Sequence, residues 1–185
     1  MKNLSLIFAS TFDGGIGYKN VLPWSIPSEM RKFKEITCKV TNPSKTNAVI
    51  MGRKTFEFLP KPLAKRINIV ITRYATDEKS SSNVVFVNSI EDALKYCESN
   101  DKIESMFLIG GSVLFESFFN NQYRCSKLYL SIVYDTSIKT DTYFDLSQIF
   151  KYFHLQKDIN YQKESNEKLF ASFVGIPLDQ SYKNT

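Results

Sequence analysis

Short apolar runs of strand length recur along most of the chain, separated by polar stretches or helical patterns. The runs are rich in Ile, Val, Leu and Phe, which favours β-strands. The central ones are apolar at consecutive positions, which indicates burial on both faces. The predicted strands cover residues 4–9, 48–51, 67–72, 84–87, 106–109 and 128–133.

Apolar residues at helical spacing lie between these strands. The predicted helices cover residues 27–37, a short segment after Gly52, residues 89–98 and residues 112–119. Because strands and helices alternate, we predict a single α/β domain over residues 1–185 with a mostly parallel sheet. The tail differs, since residues 152–160 and 168–174 flank a polar turn and predict an antiparallel hairpin. The polar stretch 75–83 is predicted to be a surface loop.

The first predicted helix carries an acidic residue on its apolar face. At steps of four, three and four residues, that face is formed by Ile26, Met30, Phe33 and Thr37. Glu29 falls on the same face, which makes it a candidate site residue. Taken alone, it could equally be a solvated acid at a helix start, where the helix dipole favours a negative charge. Four charged neighbours are expected to point elsewhere, namely Arg31, Lys32, Lys34 and Glu35.

Composition narrows the class of protein. The 185 residues are 43% hydrophobic and 23% charged, which is typical of one globular domain. No apolar run approaches the ~18 residues of a membrane span, and residues 1–3 lead directly into a strand, so we expect a cytoplasmic protein without membrane contact. Three scattered cysteines, Cys38, Cys97 and Cys125, favour free thiols in a reducing compartment.

The net charge of +5 could indicate nucleic acid, an anionic small ligand or no partner at all. The lysines form neither a dense block nor an aromatic-basic RNA-binding motif, so we expect no nucleic-acid partner. The chain contains one histidine, His154, which excludes a histidine-rich metal site. We therefore expect no metal.

One predicted strand ends in a group of residues suited to phosphate. In AVIMGRKT the strand meets Gly52, and the next residues, which begin a helix, are Arg53, Lys54 and Thr55. Backbone N–H groups, the helix dipole, two cations and a hydroxyl together favour an anion. The segment is not a Walker A loop, because the earlier glycine and its four-residue spacer are missing. An ordinary basic helix start would show the same residues.

Two further strand ends have related chemistry. In FLIGGSVLF, Gly110 and Gly111 join a strand to a helix that starts near Ser112, which permits close backbone approach and favours anions. In NIVITRY the strand ends at Thr72 and Arg73, which suit a phosphate monoester, although solvated surface residues would look the same. Ligands of such sheets gather at the carboxyl ends of the strands, so three such ends predict a dinucleotide. An arginine at the third end, where an acid would hold the ribose hydroxyls of NAD, favours NADP.

Six motifs occur in an order that resembles the dihydrofolate reductase family. They are GIGxxNxLPW, an acid five residues after the tryptophan, VIMGRKTF, RINIVITR, FLIGGSxLF and a late DTYF. The resemblance implies reduction of 7,8-dihydrofolate to 5,6,7,8-tetrahydrofolate with NADPH, by hydride transfer to C6 and protonation at N5. It also implies an α/β three-layer sandwich with an eight-stranded, mostly parallel sheet, an antiparallel C-terminal strand and four flanking helices. A monomer that binds antifolates such as methotrexate is expected.

The resemblance also implies roles on the substrate side. Glu29 matches the family's buried acid, which meets the 2-amino group and N3 of the pterin, and Trp24 matches the tryptophan that positions a water for proton delivery to N5. Ile7 and Ile109 are expected to offer backbone carbonyls to the pterin. Arg66 resembles the arginine that grips the glutamate α-carboxylate. The other expected substrate contacts are Phe8, Met30, Phe33, Leu59, Leu63 and Ser131.

On the cofactor side, the resemblance implies a mobile loop that closes over the nicotinamide. Its residues are Gly15, Ile16, Gly17, Tyr18, Lys19, Asn20 and Val21. The 2′-phosphate is expected at Arg53, Thr72 and Arg73, and the phosphate bridge at Lys54 and Thr55. The remaining expected cofactor contacts are Ala9, Gly52, Gly110, Gly111, Ser112, Val113, Leu114 and Phe115.

The chain departs from the family pattern at several positions. Phe115 stands where tyrosine is common, and Phe8 is larger than the usual residue beneath the pterin. Met30 keeps the aminobenzoyl slot apolar but more pliable. Ser131 replaces a threonine and keeps its hydroxyl, and Asn88 stands where some relatives have an arginine for the 2′-phosphate.

Two alternatives compete with this interpretation. A pyrimidine reductase of riboflavin synthesis shares the fold and NADPH, but it would lack the LPW segment followed by an acid. A non-catalytic nucleotide-binding relative would keep the fold alone, and the presence of Glu29, Trp24, Arg66 and both glycines speaks against it. Dihydrofolate-dependent loss of NADPH absorbance would separate these classes.

Overall fold

The computed structural model describes residues 2–74, 81–157 and 170–178. Eight of its strands form one sheet in the order β5-β4-β3-β6-β1-β7-β10-β9. The strands of this sheet are β1 (Asn3–Thr11), β3 (Thr46–Gly52), β4 (Arg66–Ile71), β5 (Val84–Val87), β6 (Ile103–Gly110), β7 (Lys127–Val133), β9 (Phe153–Lys157) and β10 (Phe170–Pro177). A separate two-stranded sheet pairs β2 (Gly15–Gly17) with β8 (Thr142–Tyr143).

Strand direction in the large sheet agrees with the sequence prediction. From β5 to β7 every neighbouring pair is parallel. The C-terminal strand β10 runs antiparallel to both β7 and β9. The predicted eight-stranded, mostly parallel sheet with an antiparallel C-terminal strand is therefore confirmed. Because the parallel strands point the same way, their carboxyl ends share one edge of the sheet, and the candidate site lies there.

Five helices are found in the described residues. They are α1 (Pro27–Cys38), α2 (Arg53–Glu57), α3 (Ile90–Ser99), α4 (Ser112–Asn120) and α5 (Ser147–Tyr152). Helix α3 begins where the sequence expects it, because the hydroxyl of its N-cap residue Ser89 accepts a hydrogen bond from the backbone N–H of Asp92 at 3.0 Å.

Alternating side chains divide the core into two layers on opposite faces of the sheet. Along β1, Leu6 and Phe8 pack with buried residues of α3 and α4, whereas Ile7 packs in a cluster that α1 and α2 partly cover. The central strands are buried at nearly every position, as their continuous apolar runs predict. The molecule is thus a three-layer sandwich with α3 and α4 on one face and α1 and α2 on the other.

Two predictions about α1 are wrong. Met30, assigned to the apolar stripe, is 54% exposed and lies at the edge of the large cavity described below. Lys32, expected to point away, is only 5% exposed and lies on the buried side with Ser28, Glu29 and Thr37. The aliphatic stem of lysine packs like an apolar side chain, which makes part of this burial tolerable.

The tail and the connections show further differences. Helix α5 and the β2–β8 pair have no counterpart in the predicted elements. The antiparallel hairpin is found as β9 and β10, although part of each predicted strand and the polar turn between them lie outside the described residues. Most of the predicted loop 75–83 also lies outside them. The three cysteines are free thiols, and burial raises the pKa of Cys97 and of Cys125 to about 12.

Candidate active site

A large cavity of about 1140 Å³ lies at the carboxyl edge of the sheet. It is bounded by the ends of the central parallel strands, by α1 and by the helices that follow the two strand–glycine junctions. Most residues that the sequence proposes for the site line it. These are Ile7, Phe8, Ala9, Ile16, Gly17, Asn20, Val21, Glu29, Met30, Phe33, Gly52, Arg53, Lys54, Thr55, Leu59, Leu63, Arg66, Thr72, Arg73, Ile109, Gly111, Ser112, Val113, Leu114 and Phe115.

Six proposed site residues do not line this cavity. Gly15 packs closely against Thr11 at the end of β1 and against Thr140, because a Cβ there would meet side-chain atoms of both at 2.6 Å. Tyr18 and Trp24 border a second, smaller cavity, which residues 137–139 also line. The other three, which also lie outside the lining, are Lys19, Gly110 and Ser131.

Glu29 is the acidic residue that lines the cavity, and it is only 8% exposed. Pro27 at the first helical positions starts α1, so that Glu29 lies in the first turn and faces the sheet. Burial raises the pKa of Glu29 above its usual value, while a hydrogen bond with the Ser131 side chain and the positive charge of Lys32 act in the opposite direction. A carboxyl in this environment can gain or lose a proton nearer neutral pH than an exposed one can.

Trp24 packs in a small cluster with Ala9, Ile26 and Val133. The residue is 5% exposed, and its indole Nε1 has no hydrogen-bond partner among the described residues. A buried indole N–H needs an acceptor, which a water or a ligand oxygen can supply.

Arg66 begins β4 opposite Asn47 of β3, whereas Gly52 stands opposite Ile71 at the other end of this strand pair. Arg66 lines the cavity and is 6% exposed. Its Nε donates to the carbonyl of Ala64 at 3.0 Å, and its Nη1 donates to the hydroxyl of Thr37 at 2.7 Å. The guanidinium also lies 5.8 Å from the centre of the Phe33 ring. Burial lowers the pKa of Arg66, but a guanidinium keeps its charge in proteins. The remaining N–H groups can bind a carboxylate.

The cationic side of the cavity contains a donor set suited to phosphate groups. Arg53, Lys54 and Arg73 provide positive charge, and the hydroxyls of this side are those of Thr55, Thr72 and Ser112. Arg53 is paired within α2, because its Nη1 donates to both carboxylate oxygens of Glu57 at 2.6 and 2.7 Å. About half of each of these two side chains is exposed, so the pair can separate at little cost.

The Gly110–Gly111 junction joins β6 to α4 through a cis peptide bond. Gly110 has φ +105°, and a Cβ there would lie 2.9 Å from the Phe115 ring, so this position requires glycine. Phe115 is buried, and its ring centre lies 4.6 Å from that of Phe8, in a tilted arrangement, and 5.5 Å from that of Phe144. The floor of the cavity at this point is therefore an aromatic cluster.

The segment 15–21 is tied to the β8 region by backbone and side-chain hydrogen bonds. The backbone N–H of Lys19 donates to the Asp141 carboxylate at 2.8 Å, and the N–H of Asp141 donates to the carbonyl of Gly17 at 2.9 Å. Lys19 and Asn20 have positive φ values of 50° and 63°, which form the tight turn between Tyr18 and Val21. This segment forms one wall of the cavity.

Seven cavity residues were not proposed as site residues from the sequence. They are Leu22, Lys34, Phe58, Ile71, Tyr74, Asn88 and Thr142. Asn88 and Thr142 had a signal, since Asn88 follows a predicted strand and Thr142 lies in the DTYF motif. Leu22 and Ile71 lie inside the motifs GIGxxNxLPW and RINIVITR, and Lys34, Phe58 and Tyr74 follow predicted site or motif residues closely. Their positions alone do not indicate which of them face the cavity.

The described residues contain neither a metal-ligand cluster nor a helix suited to a membrane. No group of three or more His, Cys, Asp or Glu side chains in residues 2–74, 81–157 and 170–178 could hold a metal ion. Within the same ranges, no helix has both the length and the apolar composition that crossing a bilayer requires.

Comparison with known proteins decides the family. The family model for dihydrofolate reductase matches residues 3–176. The chain belongs to the dihydrofolate reductase family. It is 38% identical over 146 residues to the dihydrofolate reductase of Heliothis virescens, covering 76% of this chain and 78% of that protein. The corresponding enzyme of Aedes albopictus is 35% identical over 150 residues, covering 78% and 80%.

A longer relative is also similar. The bifunctional dihydrofolate reductase-thymidylate synthase of Zea mays is 38% identical over 152 residues, which are 77% of this chain and 28% of that protein. Membership of the dihydrofolate reductase family confirms the predicted family, fold class, reductase activity and use of NADPH. The activity of the chain is the reduction of dihydrofolate to tetrahydrofolate, and dihydrofolate and NADPH are its ligands.

Proposed function

We propose that the cavity holds dihydrofolate between Glu29 and Arg66 and holds NADPH along the cationic side that ends at Arg73. The two ends of the substrate have the opposite chemistry to the two residues that would bind them. The pterin presents an amidine-like edge of hydrogen-bond donors, which suits a carboxylate, and the glutamate tail presents carboxylates, which suit a guanidinium. The half-buried apolar residues between Glu29 and Arg66 suit the aminobenzoyl group.

Glu29 orients the pterin and supports its protonation. Its carboxylate accepts hydrogen bonds from the 2-amino group and N3, which offsets the cost of burying the acid. N5 lies beyond direct reach of an acid bound at that edge, so the proton arrives through a water. Trp24 supports this route, because its buried indole N–H has no partner among the described residues and can hold a water beside the carboxylate.

The donor set of the cationic side fits NADPH, which supplies the hydride to the pterin when it is bound. Arg53, Thr72 and Arg73 would hold the 2′-phosphate, and Lys54 and Thr55 the phosphate bridge. The α4 start at Ser112 would hold the pyrophosphate with the residues that follow. Arg53 must exchange its Glu57 partner for the phosphate, so we assign the larger share of 2′-phosphate recognition to Arg73.

Closure of the segment 15–21 excludes water from the reacting groups. Ile16, Gly17, Asn20 and Val21 face the cavity directly. Gly15 and Lys19 act by fixing the segment to the β8 region, where Lys19 donates to Asp141. Their contribution is positioning of the wall and not contact with the cofactor.

The aromatic floor sets the shape of the pterin and nicotinamide sites. Phe8 and Phe115 lie in contact there, and Gly110 leaves the room that the Phe115 ring occupies. Ile7 lies in the middle of β1 and Ile109 near the end of β6, and both line the cavity. We assign pterin contacts to their backbone carbonyls. Ala9, next to Trp24, is assigned to the cofactor amide.

We further propose that the protein works as a single-domain monomer in the cytoplasm and binds antifolates such as methotrexate in the same cavity. These ligands share the pterin-like donor edge that Glu29 would meet. Analytical ultracentrifugation at working concentration tests the monomer, with and without NADPH. A dimer at those concentrations would contradict it.

The observation that carries the proposed site is the placement of a buried carboxylate and a buried guanidinium at two ends of one cavity, with a cationic side beside them. The test is the loss of NADPH absorbance, measured once with dihydrofolate and once with a dihydropterin that lacks the aminobenzoyl-glutamate tail. We expect turnover with both and a much lower Michaelis constant for dihydrofolate, because only dihydrofolate reaches Arg66. Equal constants for the two substrates would contradict the placement.

A further inference from the structure

Lys32 is a buried cation one helical turn after the buried acid of the site. On α1, residues three apart are neighbours on the helix surface, with Cβ atoms about 5–6 Å apart. Glu29 is 8% exposed and Lys32 is 5% exposed, although lysine is rarely found fully buried without a partner. Both lie between α1 and the sheet, on the side away from the bulk solvent.

The sheet that faces this pair is polar at the point of contact. Ser131 of β7, which shares a hydrogen bond with Glu29, stands directly opposite Ser172 of β10 in the antiparallel register. Directly opposed residues point to the same face of a sheet, so both hydroxyls lie on the α1 side. The two serines are each 5% exposed, and the Ser172 hydroxyl has no hydrogen-bond partner among the described residues. Behind the acid there is thus a buried polar patch where an apolar one would be ordinary.

Few other charges can act on Glu29 from the elements packed around it. The described residues of β1, β3 and β10 include no titratable side chain, and β7 contributes only the exposed Lys127 and the half-buried Tyr129. Arg66, at the start of β4, is bound to Thr37, which lies about two turns after Glu29 on α1. Among the described residues, Lys32 is therefore the charged group that lies nearest to Glu29 along the buried face of α1.

We propose that Lys32 is a positioning residue of the reductase, whose buried ammonium keeps the Glu29 carboxylate ionised and directed toward the pterin. The proposal rests on the role of Glu29 given under the proposed function. Burial alone favours the protonated acid, which would offer one acceptor oxygen fewer to the donor edge of the pterin. A positive charge at a distance of one helical turn opposes that tendency, and the direction of its effect on the pKa of Glu29 agrees.

The proposal predicts that the pH dependence of hydride transfer changes when Lys32 is replaced. Reduction at C6 and N5 consumes a proton, so the rate of hydride transfer falls as pH rises through the pKa that governs proton supply to N5. Without the ammonium, Glu29 holds its proton to higher pH. Loss of the Lys32 charge should therefore move the falling limb of the rate upward in pH, whereas loss of packing alone would lower the rate at every pH.

The test compares wild type, Lys32→Met and Lys32→Arg, with Lys39→Met as a control that removes an exposed charge at the end of the same helix. In the ligand-free proteins, carbon-13 NMR of the Glu29 carboxyl, assigned with Glu29→Gln, gives its titration midpoint. We expect Lys32→Met to raise the midpoint by ~0.5 to 1 unit, the size that a charge at this distance produces in a partly polar interior. Lys32→Arg and Lys39→Met should leave it at the wild-type value.

The single-turnover rate of hydride transfer against pH gives the second readout. We expect the falling limb of Lys32→Met to move in the same direction as the carboxyl midpoint. An unchanged midpoint in Lys32→Met, or a lower rate at all pH values without a moved limb, would overturn the proposal. Lys32→Gln is measured in parallel and read in the same way, so that poor folding of one variant still leaves a test. Full turnover in Glu29→Gln would instead overturn the role of Glu29 itself.

Discussion

The guanidinium of Arg66 donates from Nη1 to the hydroxyl of Thr37 across 2.7 Å, which joins the start of β4 to the last turn of α1. The Thr37 hydroxyl donates in turn to the carbonyl of Phe33 at 2.7 Å. With Nε bound to Ala64, the guanidinium is fixed before any ligand arrives. A fixed charge of this kind loses little conformational entropy on binding and holds one orientation toward a carboxylate.

Arg66→Ala should raise the Michaelis constant for dihydrofolate about ten-fold or more, since a hydrogen bond to a charged group contributes ~1.5–3 kcal/mol. Turnover should change much less. The glutamate end is remote from the reacting ring, so its interaction is nearly the same in the ground and transition states. Steady-state kinetics measures both constants, and Lys61→Ala, which removes an exposed charge nearby in the chain, is the control.

Inhibitors sharpen the same comparison. Methotrexate carries the glutamate, whereas trimethoprim-like antifolates do not, so Arg66→Ala should weaken methotrexate far more. Thr37→Val keeps the charge of Arg66 but removes its anchor, and we expect a smaller effect in the same direction. If Arg66→Ala weakens both inhibitor classes equally, Arg66 does not bind the α-carboxylate.

Arg73→Ala should erode the preference for NADPH over NADH. The wild type should prefer NADPH by ~10-fold or more, because one charged contact to the 2′-phosphate is worth ~1.5–3 kcal/mol. Arg53→Ala should cost less, since Arg53 must first leave Glu57. The ratio of kcat/KM for the two cofactors measures the preference. The control is Lys95→Ala, which removes an exposed charge on α3. Equal use of both cofactors by the wild type would rule out this assignment.

The location of the site could be predicted from the sequence because parallel strands bring their carboxyl ends to one edge. Gly52, Thr72 and Gly111 are separated by up to about sixty positions in the chain, yet all three line one cavity. Each was recognisable as the point where an apolar run stops and a glycine, hydroxyl or cation follows. The approximate bounds of the central strands follow from the same continuous apolar runs.

Other features depend on tertiary contacts that no local pattern contains. Lys32 is buried on the side of α1 that also carries Ser28, Glu29 and Thr37, whereas a periodicity argument treats every lysine as polar. Strands β2 and β8 have three and two residues, which is too short for a hydrophobic period to be recognised. The residues around them are held by contacts with Thr11 and Asp141. Ser131 shares a hydrogen bond with Glu29, and Trp24 packs with Ala9 and Ile26, yet neither residue lines the cavity. The sequence contains no local pattern that indicates this placement.

The raised pKa of Glu29 links the site to stability. In the folded protein Glu29 holds its proton more tightly than in the unfolded chain, so the free energy of unfolding falls as pH rises from the usual glutamate range through the raised pKa. Glu29→Gln removes this penalty. Thermal unfolding of the ligand-free proteins should show Glu29→Gln gaining on the wild type as pH rises through that window, with the difference smallest at the acidic end. A difference that does not vary with pH would contradict the expected ionisation.

The Asp141 carboxylate holds the segment 15–21 through the backbone N–H of Lys19. Asp141→Ala should loosen this wall and lower the rate of hydride transfer about two- to ten-fold, in keeping with the loss of one exposed hydrogen bond of ~0.5–1.5 kcal/mol. Single-turnover kinetics is the measurement, and Asp101→Ala on an exposed turn is the control. A rate equal to that of the control would show that this contact does not support closure.

The central claim is that Glu29 binds the pterin and supports its protonation through a water, and turnover of Glu29→Gln on dihydrofolate tests it most directly. Glutamine keeps the size and burial of the side chain but can neither carry the charge nor accept at both oxygens. Its turnover at neutral pH should fall about a hundred-fold or more, the range in which acid–base groups contribute, while NADPH binding measured by fluorescence stays nearly unchanged. A Glu29→Gln protein that binds NADPH normally and retains most of its turnover at pH 7 would contradict the account.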